Sequence, residues 1–455
     1  MKAEERIVEF IGRTNFEDIP QTSFIIIKNM ILNVLGTAIA GSTSEGCEPL
    51  VSFYRDMGGR EEATVLIHGG RLPAQDAAFV NSVMARALDY CDAMVPGLHI
   101  GSSAVPTTLA VTELKGGCSG KEFLLALTLG AEVSARLNLT ESAYDGFDPT
   151  GICAIFASTV IAGKLLGLSP EETWNALALA FNRSAGSFQS NIDGSLAVRV
   201  IQGWVSQNGI TCARFSQSGV TGPKNFLEGL YGYLHLYGRD KVDPKDLLDG
   251  LGQRFELENL VFKKYPSCGL TQSATDTTLG LLKEIGVDTG NIAHIDITVP
   301  PYAYKLVGHP FEPGENPTVS AQFSIQYCVA NALLRGNSRL IHFEEPGIKD
   351  AAVMEEVKKV RVVSDEKLDQ RGHTSIDIRL ETNGGDKFQK SMDIAPGFPG
   401  NPLTQKDHEA RFWDCMDYAP KPIKKEKAEE LLSKILELEK LDDARSIIPL
   451  MIHEQ

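Results

Sequence analysis

The sequence lacks the signatures of several large enzyme classes. It has no Cys-x-x-Cys pair, no Gly-x-Gly-x-x-Gly after a strand-like segment and no P-loop. These absences disfavour a zinc site, a redox enzyme built on a dinucleotide fold and a nucleotide-binding enzyme. No internal repeat and no low-complexity segment occurs either. What remains is an ordinary globular composition, with 43% hydrophobic and 23% charged residues, which is enough to bury a large core.

The chain has fewer basic than acidic residues. The chain has 44 basic and 59 acidic residues, which give a formal net charge of −15. This balance disfavours nucleic acid and anionic membranes as partners. An anionic small molecule would therefore need a locally basic pocket.

Nothing in the sequence predicts export or membrane insertion. The eight cysteines are scattered and several lie in apolar segments such as 151–162, which is typical of reduced thiols in a cytoplasmic protein. No apolar segment of the signal-peptide type follows Met1. The apolar segment 24–40 contains Lys28, Asn29 and Asn33, whereas a bilayer span needs about 20 predominantly apolar residues. We therefore expect a buried helix there and a cytoplasmic location.

The length and the residue pattern predict two domains of different character. A chain of 455 residues exceeds what one hydrophobic core usually supports. Up to about residue 260, apolar residues recur at helical spacing, and Ser169-Pro170-Glu171-Glu172 has the form of a capping box. After Lys263, alternating segments predict strands mixed with helices, hence an α+β domain. The predicted helices are 24–40, 74–89, 104–114, 121–139, 151–166, 170–181, 272–285 and 320–334, and the predicted strands are 293–299, 360–363 and 374–380.

The segment 87–114 brings an acid, a base and a helix start together. Asp89 and Asp92 are spaced i, i+3, so they share one face if the preceding helix extends that far. Pro96-Gly97 would break that helix. If the helix reaches Asp92, the two carboxylates therefore lie side by side at its end.

The second half of this segment predicts a new helix with a histidine at its start. Ser102 or Ser103 is placed to N-cap that helix, with Pro106 in its first turn. His99 would lie just outside the N-terminus, where partial positive charge disfavours imidazolium and free amides can bind a carboxylate. The same spacing also fits an ordinary capped turn with a surface histidine, and the residues alone leave both interpretations open.

Several segments match one known family in order along nearly the whole chain: 89–99, 151–167, 184–238, 263–268, 321–332 and 400–403. Together they resemble the MmgE/PrpD family, whose members include dehydratases, decarboxylases and epimerases of small carboxylic acids. The resemblance implies a mainly α fold, with a large all-helical domain formed by residues 1–264 and 401–455 and a smaller α+β lid formed by residues 265–400. It also implies a homodimer and a pocket without metal or cofactor in the cleft between the domains.

The chemistry implied by this resemblance is proton abstraction next to a carboxylate. Such a step builds up negative charge of an enolate type, so it needs a base for the C–H and cations for the carboxylate oxygens. The resemblance assigns the catalytic roles to Asp89, His99 and Lys263. His99 would be the general base or acid, Asp89 would orient it or share the proton transfer, and Lys263 would hold the carboxylate or the enolate.

The remaining candidates are substrate-binding residues, each with a structural alternative: Asp92, Ser102, Asp148, Arg199, Lys264 and Gln272. Arg199 and Lys264 could form a second carboxylate clamp, or they could be in ion pairs. Asp92 could position the loop, Ser102 could cap the helix, and Gln272 could mark a helix start.

The chain departs from the family pattern at about half of the expected positions. Cys91 stands where an aspartate is usual, Ala93 where a threonine is usual, and Val198 where a second lysine is usual; Asp148 and Gln272 each replace a histidine, and Leu306 replaces a tyrosine. Less positive charge disfavours a tricarboxylate. A smaller acid, or an amino or imino acid whose nitrogen pairs with Asp148, fits better.

We therefore predict a cofactor-independent lyase or isomerase that acts on a small carboxylic acid. Dehydration, epimerisation and decarboxylation remain open, although epimerisation needs only the removal and return of one proton. The alternative is a catalytically inactive paralogue that serves as a small-acid binding protein or a dimeric interaction module. The altered motif supports this alternative, whereas the presence of Asp89, His99 and Lys263 argues against it.

Overall fold

The computed structural model describes residues 1–139, 143–286 and 288–454. The chain forms two compact units, one of residues 1–260 with 415–455 and one of residues 261–414. The predicted mainly α fold is confirmed. The predicted boundary at residue 400 falls inside the second unit, because that unit extends into the helix Gln405–Tyr418.

The first unit is a bundle of helices with one small ribbon. The strands β1 (Ala63–Thr64) and β2 (Arg71–Leu72) pair antiparallel, so the unit is not entirely helical. Its helices are α1 (Ala3–Arg13), α2 (Gln21–Ala40), α3 (Cys47–Met57), α4 (Ala74–Arg86), α5 (Gly101–Leu114), α6 (Gly120–Leu137), α7 (Ile155–Leu166), α8 (Pro170–Arg183), α9 (Gln189–Ile192), α10 (Ala197–Gln217), α11 (Tyr233–Leu236) and α12 (Pro244–Leu247).

Small residues let the central helices pack closely. A Cβ on Gly203 of α10 would lie 2.7 Å from the ring of Phe79 on α4, and one on Gly209 would lie 2.4 Å from Ser158 on α7. Among the described residues, α2 is long and apolar enough to span a bilayer, but 89% of its apolar window is buried inside the structure. The prediction of a buried helix at this segment agrees with that burial.

The sequence pattern located most helices of this unit correctly. Ser169 accepts the amide of Glu172 in the predicted capping box at the start of α8. The predicted helix 151–166 is divided, because Thr150–Ala154 forms a π-helical turn that runs into α7. α4 ends at Arg86, before the predicted end at residue 89.

The second unit packs helices on one face of a four-stranded sheet. The strands β3 (Ile292–Val299), β4 (Val360–Ser364), β5 (Ile376–Thr382) and β6 (Lys387–Met392) lie in the order β4-β3-β5-β6, with only the β3–β4 pair parallel. The strands β3, β4 and β5 were predicted, whereas β6 was not. The helices of this unit are α13 (Gln272–Ile285), α14 (Pro301–Val307), α15 (Pro317–Gln322), α16 (Ile325–Arg335), α17 (Glu345–Ile348) and α18 (Ala351–Val357).

The end of the chain is helical. The helix α19 (Gln405–Tyr418) is followed by α20 (Lys425–Leu436) and by a 3₁₀ segment, Ala444–Met451.

The core of the second unit is formed by the inward-facing residues of the sheet together with α13 and α16, and includes Ile295, Ile297 and Ile378. The single predicted helix 320–334 is two helices, α15 and α16, separated at Phe323.

Candidate active site

Asp89 lies outside the helix that precedes it. α4 ends at Arg86, and Asp89 adopts the left-handed backbone conformation with φ of +50°. The prediction that Asp89 and Asp92 share a helix face is therefore wrong. Aspartate tolerates this region better than most residues with a Cβ, so the chain can turn sharply here and direct the two carboxylates to different partners.

Asp92 is fully buried and caps the next helix. Its Oδ2 accepts the amide of Gly101 at 2.9 Å, where the positive end of the α5 dipole favours a carboxylate. Ser102 and Ser103 lie inside the first turn, fully buried, and neither is the N-cap that the sequence predicted. The protein's own Asp92 carboxylate occupies the amide position where we expected substrate to bind.

His99 precedes α5 as predicted, and its ring is fixed in one tautomer. Its Nδ1 lies 2.7 Å from the backbone carbonyl oxygen of Asp92. Because a carbonyl only accepts, Nδ1 carries the hydrogen and Nε2 holds the lone pair. The backbone of His99 is also held in place, since its amide donates a hydrogen bond to Thr150 Oγ1 at 3.0 Å.

Arg86, which sequence reasoning missed, is the buried cation beside His99. Its Nη1 forms an ion pair with Asp89 Oδ1, and its Nη2 lies 3.4 Å from His99 Nε2. A guanidinium can only donate, so this contact agrees with the tautomer set by Asp92. Burial lowers the pKa of Arg86, but the charge of Asp89 acts against burial, and the surroundings as a whole raise the pKa above its ordinary value. The i, i+3 spacing between Arg86 and Asp89 is the sequence feature that could have predicted this ion pair.

Cys91 lies against the other side of the imidazole. Its Sγ is 3.5 Å from His99 Nδ1 and the residue is fully buried. Burial raises the pKa of this thiol, although the charge of Arg86 acts in the opposite direction. The thiolate is the nucleophilic form of cysteine, so this neutral thiol serves as packing around the histidine.

The Asp148 carboxylate accepts hydrogen bonds from the first amides of the π-helical turn. It is 5% exposed, and its Oδ1 accepts the amides of Thr150 at 2.8 Å and Gly151 at 3.3 Å. Burial raises the pKa of Asp148, opposed by those hydrogen bonds and by the Thr150 hydroxyl. Thr150 therefore connects Asp148 to His99, which makes Asp148 a support for the base.

Arg199 lies at the start of α10 within electrostatic reach of this group. Its Nη1 donates to the backbone oxygen of Glu45 at 2.7 Å. Burial lowers the pKa of Arg199, while the charge of Asp89 raises it and that of Arg86 lowers it. Gln202 of the same helix, which the sequence did not single out, is fully buried with Nε2 3.4 Å from the His99 carbonyl oxygen.

The other three candidates belong to the second unit. Lys263 is buried, at 7% exposure, in the segment that precedes the Tyr265–Cys268 loop. Lys264 forms ion pairs with Asp276 at 2.8 Å and Asp407 at 3.4 Å, which is the structural alternative considered for it.

Gln272 clamps the loop from the start of α13. Its Oε1 accepts the amide of Tyr265 at 2.9 Å, and its Nε2 donates to the carbonyl oxygens of Tyr265 at 3.0 Å and Ser267 at 3.1 Å. The predicted helix start at Gln272 is confirmed. Its amide is engaged with the backbone, so its structural role is to hold this loop.

Comparisons with known proteins agree with the two-part organisation. The chain matches the MmgE/PrpD N-terminal domain over residues 5–245 and the MmgE/PrpD C-terminal domain over residues 265–438. It is 26% identical over 438 residues to a human cis-aconitate decarboxylase, covering 93% of this chain and 89% of the relative. It is 24% identical over 465 residues to a cis-aconitate decarboxylase of Aspergillus terreus, covering 96% of this chain and 93% of that relative.

The fold and the relatives define the class of protein as an enzyme of the lyase type, which is one of the two predicted classes. The family models together cover most of its length. The chain belongs to the MmgE/PrpD family, which confirms the resemblance inferred from the sequence.

Proposed function

We propose that this enzyme removes a proton from the carbon next to a carboxylate of a small acid, with His99 Nε2 as the base. The observation that carries the proposal is the 2.7 Å contact between His99 Nδ1 and the Asp92 carbonyl oxygen. It leaves the Nε2 lone pair on the side of Arg86 and Asp89. A positioned base of this kind contributes about 10²–10⁴-fold to the rate.

The charges around the base support an anionic substrate. Arg86 lies in contact with His99. Arg199 lies close enough to Asp89 and Arg86 for their charges to affect its pKa. Proton abstraction next to a carboxylate places negative charge on the substrate, and preorganised cations stabilise it best where water is excluded. Relatives named cis-aconitate decarboxylase also support a small unsaturated or hydroxylated carboxylic acid as the substrate class.

We assign the reaction to a cofactor-independent lyase or isomerase. Elimination and epimerisation both begin with an enolate-like species formed when the base removes the proton; water then leaves in elimination, and the proton returns in epimerisation. In decarboxylation the carbanion forms by loss of carbon dioxide, and His99 in its protonated form supplies the proton that replaces it. The support for one class over another must come from the products.

The test is incubation of the protein with di- and tricarboxylic acids and their amino analogues in deuterated water, followed by NMR. Deuterium at the carbon next to the carboxylate without another product indicates an isomerase. A new alkene with loss of water indicates a dehydratase, and release of bicarbonate indicates a decarboxylase. His99→Gln should abolish any of these signals. Thermal stabilisation by an acid without turnover, unchanged in His99→Gln, would instead support the inactive, acid-binding alternative.

For Lys263 we propose the predicted role of holding a carboxylate or the developing enolate. The chain offers a matched comparison, since Lys264 is engaged with Asp276 and Asp407. Lys263→Met should lower the turnover rate, as expected for a lost transition-state cation, by about 10²-fold or more. Lys264→Met should act mainly on the unfolding temperature. Equal losses of turnover in both variants would contradict the assignment to Lys263.

A further inference from the structure

Arg86 occupies the place where a substrate must approach the base. Its Nη2 is 3.4 Å from His99 Nε2, the atom that carries the lone pair. A carbon acid must come within about 3–3.5 Å of that atom to react. Any substrate that reaches Nε2 therefore also reaches the guanidinium of Arg86.

We propose that Arg86 holds the lone pair of His99 while the enzyme is free of substrate, and that it moves its hydrogen bond to the substrate carboxylate when an acid binds. This inference rests on the proposed function, because it takes His99 as the base. It gives Arg86 two successive acceptors at one donor, the neutral imidazole and then the carboxylate. The exchange frees the base only when the correct kind of substrate is present.

The relative strengths of the two hydrogen bonds set the direction of this exchange. A hydrogen bond from guanidinium to a carboxylate joins two ionised groups and can be bidentate, so it is stronger than one from guanidinium to a neutral imidazole. The carboxylate should therefore take Nη2 away from the imidazole. No covalent bond changes in this step.

The ion pair with Asp89 keeps Arg86 in place during the exchange. Asp89 binds Nη1, whereas His99 faces Nη2, so one donor can change its partner while the other stays bound. Asp89 is 32% exposed in its side chain and Arg86 only 8%. Asp89 is thus a positioning residue for the guanidinium.

The first test measures how readily the His99 lone pair reacts, without any turnover. Diethyl pyrocarbonate acylates neutral imidazole nitrogen, and peptide mass spectrometry assigns the rate to His99. In the substrate-free protein, Arg86→Gln should accelerate the modification about tenfold or more, the factor expected for the loss of one hydrogen bond that involves a charged group. Arg86→Lys should give an intermediate rate.

Asp89→Asn tests the positioning role of Asp89. It removes the ion pair but leaves the guanidinium beside His99, so the modification rate should rise less than in Arg86→Gln. An unchanged rate in Arg86→Gln would overturn the proposal, as would an acceleration in Asp89→Asn as large as that in Arg86→Gln. Unfolding temperatures of each variant show whether the comparison is made on folded protein.

The second test concerns the carboxylate and uses succinate as an unreactive probe. The unaltered protein should gain thermal stability with succinate and much less with its dimethyl ester, and Arg86→Gln should lose that difference. Equal stabilisation of the unaltered protein and Arg86→Gln by succinate would overturn the carboxylate-binding half of the proposal. Because neither test needs turnover, a failed deuterium exchange experiment and a failed Arg86 experiment are separate results.

Discussion

Asp92 holds the ring of His99 through its backbone carbonyl oxygen and holds the start of α5 through its carboxylate. The Asp92 carbonyl oxygen lies 2.7 Å from His99 Nδ1, while its carboxylate holds the amide of Gly101 at 2.9 Å. The same residue therefore fixes the tautomer of the base and starts the helix that follows it. A change that displaces the helix start will displace the base as well.

Gly101 should be intolerant of any side chain. A Cβ there would lie 2.2 Å from Asp92 Oδ1 and 2.8 Å from both Met30 and Val34. We expect Gly101→Ala to lower the free energy of unfolding by about 1–3 kcal/mol, the usual cost of overpacking, and to reduce activity through His99. Urea unfolding measures the first effect.

Gly12, in helix α1, provides the matched control for that substitution. Nothing lies within 4 Å of a Cβ built on it, so Gly12→Ala should raise the free energy of unfolding by about 0.5–1 kcal/mol. If Gly101→Ala were as stable as Gly12→Ala, the surrounding residues would have moved at little cost to make room for the new Cβ beside Asp92, which would contradict the prediction.

Thr150 should matter through its hydroxyl. Thr150→Val keeps the shape but leaves the His99 amide without its acceptor, which we expect to cost about 1–3 kcal/mol of unfolding free energy. It should also lower turnover, because the base loses one of its supports. Thr150→Ser keeps the hydroxyl and should restore turnover. If valine and serine behave alike in turnover assays, the hydroxyl has no positioning role.

The ion pair of Glu132 and Arg136 on α6 should be a major contributor to the first unit's integrity. Their side chains are 0% and 1% exposed and their N–O distance is 2.6 Å. Arg136 also binds the carbonyl oxygens of Leu247 and Asp249. Glu132→Gln should destabilise the protein by about 3–5 kcal/mol, because it leaves a buried charge without its partner.

The exposed pair of Glu345 and Lys349 is the control for burial. Both side chains are more than half exposed, so Glu345→Gln should change the unfolding free energy by less than about 1 kcal/mol. Comparable losses in the two variants would contradict the dependence on burial. Guanidinium unfolding curves measured under one set of conditions decide the matter.

Acid should destabilise the second unit through His408. Burial, together with the charge of Arg411, lowers the pKa of His408 to about 3. An unfolded histidine has a pKa of about 6.5, so between pH 6.5 and 3 the unfolded chain binds the proton and the folded chain does not. Unfolding free energy should therefore fall by up to about 1.4 kcal/mol for each pH unit in this window.

His408→Leu should remove that part of the acid sensitivity. The control is His373→Leu, since His373 is exposed and its loss should leave the slope unchanged. The measurement is unfolding free energy at several pH values between 6.5 and 4. A slope in His408→Leu equal to that of the unaltered protein would show that other groups carry the acid response.

Local sequence signals predicted most of the fold. Ser169 predicted the start of α8, because a capping box provides hydrogen-bond partners for the free amides of the first turn. The alternation of apolar and polar residues in 293–299 predicted β3. β6 was missed because Lys387–Met392 is a polar edge strand whose residues are exposed or half-buried. Edge strands are identified by their pairing with a neighbour, which no local pattern reveals.

The candidate site was less predictable, because its geometry depends on contacts distant in sequence. His99 was found, but its tautomer depends on a carbonyl oxygen, which every residue has. The left-handed turn at Asp89 ended α4 early and separated two carboxylates that the spacing had placed together. Arg86 was overlooked because an arginine in the last turn of a helix is common for reasons of the helix dipole alone.

The π-helical turn at Thr150–Ala154 relates the packing of α7 to the support of His99. Turns of this kind accommodate one extra residue in an α-helix and often occur at functional sites. The buried face of α7 keeps its packing, while Thr150, before it, reaches the His99 amide. Because the turn contains one residue more than an α-helical turn, deletion of one residue from it should rotate Thr150 relative to α7 and withdraw its hydroxyl from the His99 amide. The extra residue thus lets one helix keep its buried face and still present a side chain to the base.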